Sequence, residues 1–106
     1  MLNLLKQLFG LGPKTDYKAL VQNGAIILDV RSKGEYASGH IKGSINIPVD
    51  QLSAQVGKLG DKHKGIITCC ASGMRSASAK SILQSKGYTA VHNGGAWTSL
   101  QQKLQS

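Results

Sequence analysis

Two uninterrupted apolar runs constrain the fold more than any other feature of this sequence. Residues 25–30 read AIILDV, and residues 65–69 read GIITC. Because these runs do not alternate between apolar and polar residues, we expect strands that are buried on both faces, as in a parallel sheet with helices on each side. The runs therefore predict an α/β domain with a mainly parallel sheet.

Helical signals stand between the predicted strands. Ser32 and Glu35 match the S-x-x-E capping box that begins many helices, and Asn93 begins an Asn-Gly-Gly sequence that predicts a turn. The predicted helices cover about residues 16–22, 33–38, 51–58, 75–86 and 96–104, and the predicted strands cover 25–30, 44–47, 65–69 and 89–92.

Composition limits the partners of the chain. Its 106 residues make a single domain, and 13 Lys and Arg against 5 Asp and Glu give a formal net charge of +8. A positive potential attracts anions, but no basic run interleaved with aromatic residues indicates nucleic-acid binding. We therefore expect a small anionic ligand, no nucleic acid and no cofactor.

The two cysteines, Cys69 and Cys70, are adjacent, which fits neither a disulfide framework nor a metal site. A bridge between sequence neighbours is strained, and the three histidines have no ligand spacing with each other or with the cysteine pair. We therefore expect free thiols in a reducing compartment, which predicts a cytoplasmic protein without a bound metal.

The first 13 residues, MLNLLKQLFGLGP, are a separate segment, and residues 14–106 form the domain. The leucines at 4, 5, 8 and 11 share one helical face, which predicts an N-terminal amphipathic helix at 1–13. The apolar run is too short to span a bilayer and lacks the small-residue cleavage site of a signal peptide. Three interpretations stay open: a helix packed on the domain, a helix that contacts a partner or a membrane surface, and a signal remnant.

The segment CCASGMRS has the composition of an anion-binding loop between a strand and a helix. Its small residues let backbone amides point inward, and the following helix adds its positive N-terminal end. A cysteine among these amides is stabilised as a thiolate, so its pKa is expected to fall below that of a free thiol. Arg75 adds a permanent cation for an oxyanion. The loop therefore predicts a nucleophilic cysteine that attacks a sulfur, phosphorus or arsenic oxyanion.

Which cysteine reacts depends on the register of the loop. Counted from Cys69, Arg75 gives C-x5-R, the spacing of a phosphatase loop, whereas from Cys70 it gives C-x4-R, the spacing of a sulfur-carrying loop. We expect Cys69 to end the strand and Cys70 to be the first residue of the turn. Gly73 lies three residues after Cys70, where a glycine lets the loop close around a ligand. The candidate site therefore has Cys70 as nucleophile, Cys69 as a packing residue, and as binding residues Ala71, Ser72, Gly73, Met74, Arg75 and Ser76.

Three segments of the chain carry a family resemblance. ILDVRSKGEYASGHIKGSINIP, at 27–48, resembles the first signature of the rhodanese-like domain, and CCASGMRS resembles its C-x-x-G-x-R-S active-site loop. YTAVHNGGAWTSL resembles its closing segment, although Trp97 stands earlier than usual after the glycine pair. The resemblance covers roughly residues 15–104 and implies a five-stranded parallel sheet flanked by helices on both faces.

The resemblance also implies an activity, that of a single-domain sulfurtransferase. In such an enzyme Cys70 would take sulfane sulfur from thiosulfate or a persulfide donor, become a persulfide, and pass the sulfur to cyanide, a thiol or a protein acceptor. The amides of residues 71–76 would hold the persulfide, and Arg75 would bind the anionic donor. Asp29, Glu35 and His40, in the first signature, are interpreted as scaffold.

Two other functions stay open at this point. A phosphatase or arsenate reductase would use Cys69 in the C-x5-R register. A sulfur-relay or binding module without enzymatic activity would use the N-terminal helix to contact a partner or a membrane surface.

Overall fold

A computed structural model describes residues 14–106, so the predicted helix at 1–13 lies outside the described residues. The strands are β1 (Ile26–Asp29), β2 (Ile45–Asn46), β3 (Ile66–Cys70) and β4 (Val91–Ala96). The helices are α1 (Tyr17–Gln22), α2 (Lys33–Ala37), α3 (Val49–Gln55), α4 (Met74–Ser85) and α5 (Trp97–Gln105), with a 3-10 helix at Val56–Leu59. Strands and helices alternate along the chain, which confirms the predicted α/β class.

The strands form one parallel sheet in the order β2-β1-β3-β4. The family resemblance implied five strands, but the sheet built by residues 14–106 has four, so that number was wrong. The rest of the described chain forms helices, turns and loops and offers the sheet no further partner. β2, at one edge, is short because Pro48 follows it closely and has no amide hydrogen to donate to a neighbouring strand.

The sheet is buried on both faces, as the apolar runs predicted. Leu28 and Ile66 belong to a core cluster that includes residues of α3 and α4. Ile27 and Ile67 belong to a second cluster, on the opposite face, that contacts α1 and α5. Because successive side chains of a strand point to opposite faces, each apolar run supplies both clusters. The predicted helices on both faces are therefore confirmed.

The sequence signal at α2 formed as predicted. The Ser32 hydroxyl accepts the amide hydrogen of Glu35, and the Glu35 carboxylate accepts the amide hydrogen of Ser32, so both halves of the capping box are present. The box fixes where α2 begins after β1, and it fixes the direction of the Glu35 side chain.

The end of β4 differs from the prediction. Residues 93–95 were expected to form a turn, but Asn93 pairs with Thr68, and the strand continues to Ala96. Gly94 lies so close to β3 that a Cβ atom there would come within 2.8 Å of the Ile67 Cγ2 and the Thr68 carbonyl oxygen. The glycine is therefore required by close packing against the central strand and not by a turn.

No helix among residues 14–106 is long and apolar enough to cross a bilayer.

Candidate active site

Cys70 lies at the carboxyl end of β3, one of the two central strands of the sheet. It was expected to be the first residue of the turn, but it is the last residue of the strand and pairs with Ala96 of β4 across an irregularity in register. α4 begins only four residues later, after Gly73, whose φ of 103° is in the left-handed region that favours glycine. The connection is therefore tight, and it folds back over the Cys70 sulfur.

Two backbone amides donate to the Cys70 sulfur, and the Ser76 hydroxyl lies beside it. The Gly73 amide lies 2.9 Å and the Ser76 amide 3.4 Å from Sγ, and the Ser76 hydroxyl oxygen lies at 3.6 Å. Burial by itself raises the pKa of the Cys70 thiol, but the Ser76 hydroxyl and the amides of Ser76, Gly73 and Ser72 outweigh it, so the pKa is lowered from its ordinary value. The geometry therefore favours a thiolate at this position.

Cys69 has the opposite environment. It is fully buried in the apolar cluster that contacts α1 and α5, on the face of the sheet away from Cys70. Burial, together with the Asp29 carboxylate, raises the pKa of the Cys69 thiol to about 12. A neutral thiol packed in an apolar core is no nucleophile, so the geometry does not favour the phosphatase register counted from Cys69.

Arg75 does not extend freely into the loop. Its guanidinium donates to both carboxylate oxygens of Glu35, at 2.7 and 3.0 Å, and forms a bidentate ion pair. Arg75 and the capping-box bonds from Ser32 lower the pKa of the Glu35 carboxyl from 4.5 to about 2. Glu35 was interpreted as a capping residue only, and its second role ties the active-site loop to α2 across 40 positions of sequence.

The other predicted binding residues line the outside and the base of the loop. Ala71 and Ser72 are exposed, and Met74 is 79% exposed. Ser76 is fully buried, and its carbonyl oxygen accepts a hydrogen bond from the Thr68 hydroxyl at 2.9 Å. The structure therefore brings all the predicted site residues into one loop and helix terminus, with Ser76 on the inner side and Met74 facing out.

Asn93 belongs to the site, although the sequence indicated only a turn there. Its side-chain oxygen accepts hydrogen bonds from the Ser76 hydroxyl at 2.6 Å and from the Gly95 amide at 2.9 Å. A signal was present: Asn93 directly follows the strand predicted at 89–92, and polar residues at the carboxyl ends of neighbouring parallel strands meet at one edge of a sheet. Because the Asn-Gly-Gly sequence was interpreted as a turn, Asn93 was not included among the predicted site residues.

A buried ion pair supports the carboxyl end of β1. Asp29 accepts from the Arg31 guanidinium in a two-pronged pair, with 2.8 Å between Asp29 Oδ2 and Arg31 Nη2. The hydrogen bond to Asp29 raises the pKa of the Arg31 guanidinium. The same guanidinium donates to the Gly39 carbonyl and lies over the Trp97 ring. These contacts fit the scaffold interpretation of Asp29.

His40 makes local contacts. Its ring stacks on the ring of Tyr36 at a centroid distance of 3.7 Å, and its Nδ1 lies 2.7 Å from the Tyr36 carbonyl oxygen. Because a carbonyl only accepts, Nδ1 carries the proton of this bond. The contacts fit the interpretation of His40 as scaffold.

The fold and the loop together define a class: a parallel α/β domain that holds a cysteine under backbone amides where a central strand meets a helix. The family model described as the rhodanese-like domain matches residues 13–102. The chain belongs to this family, which confirms the resemblance drawn from the motifs.

Curated relatives and solved structures agree with the family. The chain is 36% identical over 69 residues to the thiosulfate sulfurtransferase PspE of Escherichia coli, covering 64% of this chain and 66% of that protein. It is 33% identical over 105 residues to the human thiosulfate:glutathione sulfurtransferase, covering 83% of this chain and 90% of that protein. A solved structure of a rhodanese with anions from E. coli matches with a TM-score of 0.68 and 32% identity, covering 72% of this chain and 91% of that chain. The chain thus spans just under two thirds of PspE.

Proposed function

We propose that this chain is a sulfurtransferase that carries sulfane sulfur as a persulfide on Cys70. The observation that carries the proposal is the set of donors around the Cys70 sulfur, with the Gly73 amide at 2.9 Å and the Ser76 amide at 3.4 Å. Donors placed in this way stabilise negative charge on sulfur before the reaction and on the persulfide after it. The names of the relatives, thiosulfate sulfurtransferases, support the same chemistry.

The reaction is a double displacement on sulfur. The Cys70 thiolate attacks the outer sulfur of thiosulfate, a new S–S bond forms, and the original S–S bond breaks, so sulfite leaves with the electron pair. A thiophilic acceptor, cyanide or a thiolate, then attacks the outer sulfur of the persulfide, and the Cys70 thiolate leaves. No oxidant or reductant is needed, because the sulfur atom moves between two nucleophiles.

Access to the sulfur requires movement of the loop. Cys70 is fully buried, whereas Ala71 and Ser72 above it are exposed. We therefore expect the donor to reach Sγ only after the loop that covers it opens. Arg75 is in the first turn of α4 with Glu35 as its partner, and an anionic donor would compete with that carboxylate for the guanidinium. A placement in the cytoplasm stays a prediction from the free thiols.

The test is the intact mass of the protein after incubation with thiosulfate and removal of excess reagent. We expect wild type to gain the mass of one sulfur atom and to lose it when cyanide is added, with release of thiocyanate. Cys70→Ser should gain nothing, and Cys69→Ala, the matched control, should behave as wild type because Cys69 lies on the other face of the sheet. A gain that persists in Cys70→Ser and disappears in Cys69→Ala would overturn the assignment.

A further inference from the structure

The Ser76 hydroxyl has more acceptors around it than protons to give. Its oxygen lies 2.6 Å from the Asn93 side-chain oxygen, 2.9 Å from the Gly73 carbonyl and 3.6 Å from the Cys70 sulfur. A hydroxyl donates one hydrogen bond only. When Cys70 is a thiolate, all three neighbours are acceptors. The direction of the Ser76 O–H bond then decides which of them receives its hydrogen bond.

The orientation of the Asn93 amide is fixed by a backbone donor. The Gly95 amide lies 2.9 Å from the same Asn93 atom that faces Ser76, so that atom must be the oxygen. The Ser76 hydroxyl lies closer to this oxygen, at 2.6 Å, than to the Gly73 carbonyl, at 2.9 Å, so it donates to Asn93 and its lone pairs are free to accept the Cys70 S–H. In the neutral thiol, the hydrogen bonds therefore run from Cys70 to Ser76 to Asn93.

Neither oxygen acceptor depends on the Ser76 proton alone. The Asn93 oxygen also accepts the Gly95 amide, and the Gly73 carbonyl also accepts the Ala77 amide at 3.1 Å. If the Ser76 hydroxyl rotates toward the sulfur, both oxygens keep a donor. Changing buried hydrogen bonds usually costs free energy because a buried polar atom loses its partner. This rotation leaves every polar atom of the network with a partner and so avoids that cost.

The sheet also fixes the positions of Ser76 and Asn93 relative to each other. Thr68 of β3 pairs with Asn93 of β4, and the Thr68 hydroxyl donates to the Ser76 carbonyl at 2.9 Å. The Asn93 carbonyl in turn accepts the Tyr17 hydroxyl at 3.1 Å. Only the Ser76 hydroxyl has to move when the sulfur changes its charge, because the atoms around it are fixed by the backbone.

We propose that Asn93 is a positioning residue that holds the Ser76 proton away from Cys70 in the thiol form and releases it to the sulfur in the thiolate form. The thiol proton leaves to solvent, the Ser76 O–H rotates, and no proton passes to the amide. Asn93 thus opposes thiolate formation by competing for the Ser76 hydroxyl. This inference rests on the proposed role of Cys70, but its test measures thiol ionisation and needs no sulfur transfer.

The test is a double-mutant cycle on the pKa of Cys70. The rate of alkylation by iodoacetamide is measured across pH by intact mass, with fragment ions used to assign the adduct to Cys70. We expect Asn93→Ala to lower this pKa by roughly half a unit or more, because the freed hydroxyl donates to the thiolate. In a Ser76→Ala background the same substitution should cause no shift. An equal shift in both backgrounds, an upward shift or no shift would overturn the proposal.

A conservative variant and a control complete the design. Asn93→Asp keeps an acceptor for the Gly95 amide and holds the Ser76 proton more strongly, so the pKa of Cys70 should rise, and rise more with Ser76 present than in the Ser76→Ala background. This comparison decides the question if Asn93→Ala does not fold, and equal rises in the two backgrounds would contradict the proposal.

Asn46→Ala is the control. It removes side-chain hydrogen bonds to two backbone carbonyls at the end of β1, away from Ser76, and should leave the pKa of Cys70 unchanged.

The outcome is separable from that of the sulfur-transfer experiment. A pKa cycle that fails while wild type still gains sulfur on Cys70 would remove the role of Asn93 and leave the proposed function intact. A cycle that succeeds in a protein that gains no sulfur would keep the Asn93–Ser76 device and remove the proposed activity.

Discussion

Cys69 and Cys70 are neighbours in the chain but lie in two different chemical environments. Cys69 packs in the apolar cluster beside α1 and α5, and its pKa is raised to about 12 by burial and the Asp29 carboxylate. Cys70 packs on the other face of the sheet, where donors from the loop and α4 lower its pKa. Neither residue has solvent-exposed surface, so exposure does not distinguish them, although Cys69 lies deeper and burial dominates its pKa. The difference comes from the hydrogen-bond donors that face the Cys70 sulfur and from the burial and nearby carboxylate that act on Cys69.

The arrangement also bears on a transfer of sulfur between the two cysteines. Successive side chains in a strand point to opposite faces, and the two sulfurs belong to separate core clusters. Cys69 is therefore not placed to attack a persulfide of the kind proposed for Cys70.

The largest expected difference between the two cysteines is in their rate of alkylation. A thiol with a pKa of about 12 is a thiolate in roughly one molecule in ten thousand at pH 8, whereas Cys70 ionises below its ordinary pKa. In the folded protein at pH 8 we expect iodoacetamide to label Cys70 at least about a hundredfold faster than Cys69. Peptide mapping after a time course measures both rates. In urea the two rates should converge, and similar rates in the folded protein would contradict the comparison.

The next largest effect is on stability and concerns the Cys69 side of the sheet. Asp29 pairs with Cys69 in the sheet register, and its fully buried carboxylate neutralises Arg31. Asp29→Ala leaves a buried guanidinium without its counter-charge, so we expect the free energy of unfolding to fall by about 3–5 kcal/mol in urea titrations. Asp50→Ala, at an exposed position in the first turn of α3, should cost less than about 1 kcal/mol. Equal losses in the two variants would show that the buried ion pair contributes no more to the free energy of unfolding than an exposed carboxylate.

The smallest effect concerns the tie between α2 and the Cys70 loop, and it depends on pH. The pKa of Glu35 is lowered from 4.5 to about 2 in the folded protein, so the unfolded chain binds more protons than the folded one between these values. The stability from Glu35 is therefore present above about pH 4.5 and is lost as the pH falls toward 2. Glu35→Gln should be less stable than wild type at pH 6, with a difference that shrinks by pH 3.

The partner of Glu35 provides the control for this pH dependence. In an Arg75→Gln background, the loss of stability caused by Glu35→Gln should change much less with pH, because Arg75 is the first cause of the lowered pKa of Glu35. Urea titrations of wild type, the two single variants and the double variant at each pH measure this coupling. If Glu35→Gln costs the same at pH 6 and pH 3 with Arg75 in place, the ion pair contributes nothing measurable.

The local signals in the sequence were sufficient for most of the fold. The apolar runs predicted β1 and β3, and the capping box of Ser32 and Glu35 predicted the start of α2. These signals act over a few residues, through strand burial and side-chain caps, so they can be read without knowing what lies next to them. The number of strands could not be obtained in this way, and the family pattern gave one too many for the described residues.

The errors at β4 have a common physical reason. Asn93 and Gly94 are turn residues by composition, but here the glycine allows close approach to β3 and the asparagine reaches Ser76. Both roles depend on residues 17 or more positions away, so neither is visible as a local pattern. The pairing of Glu35 with Arg75 is of the same kind, because the capping box already accounted for the glutamate.

The class of fold, the loop that carries the cysteines and the family of the chain all follow from its amino-acid sequence. They do so because strand burial, helix capping and the C-x-x-G-x-R-S spacing are properties of short segments. Only the folded molecule shows on which face of the sheet each sulfur lies. Only the folded molecule shows which groups lie near each sulfur. Asp29 acts on Cys69 from another strand, and Ser76, itself bound to Asn93, acts on Cys70 from a helix, so the electrostatic effects on each thiol depend on neighbours in space.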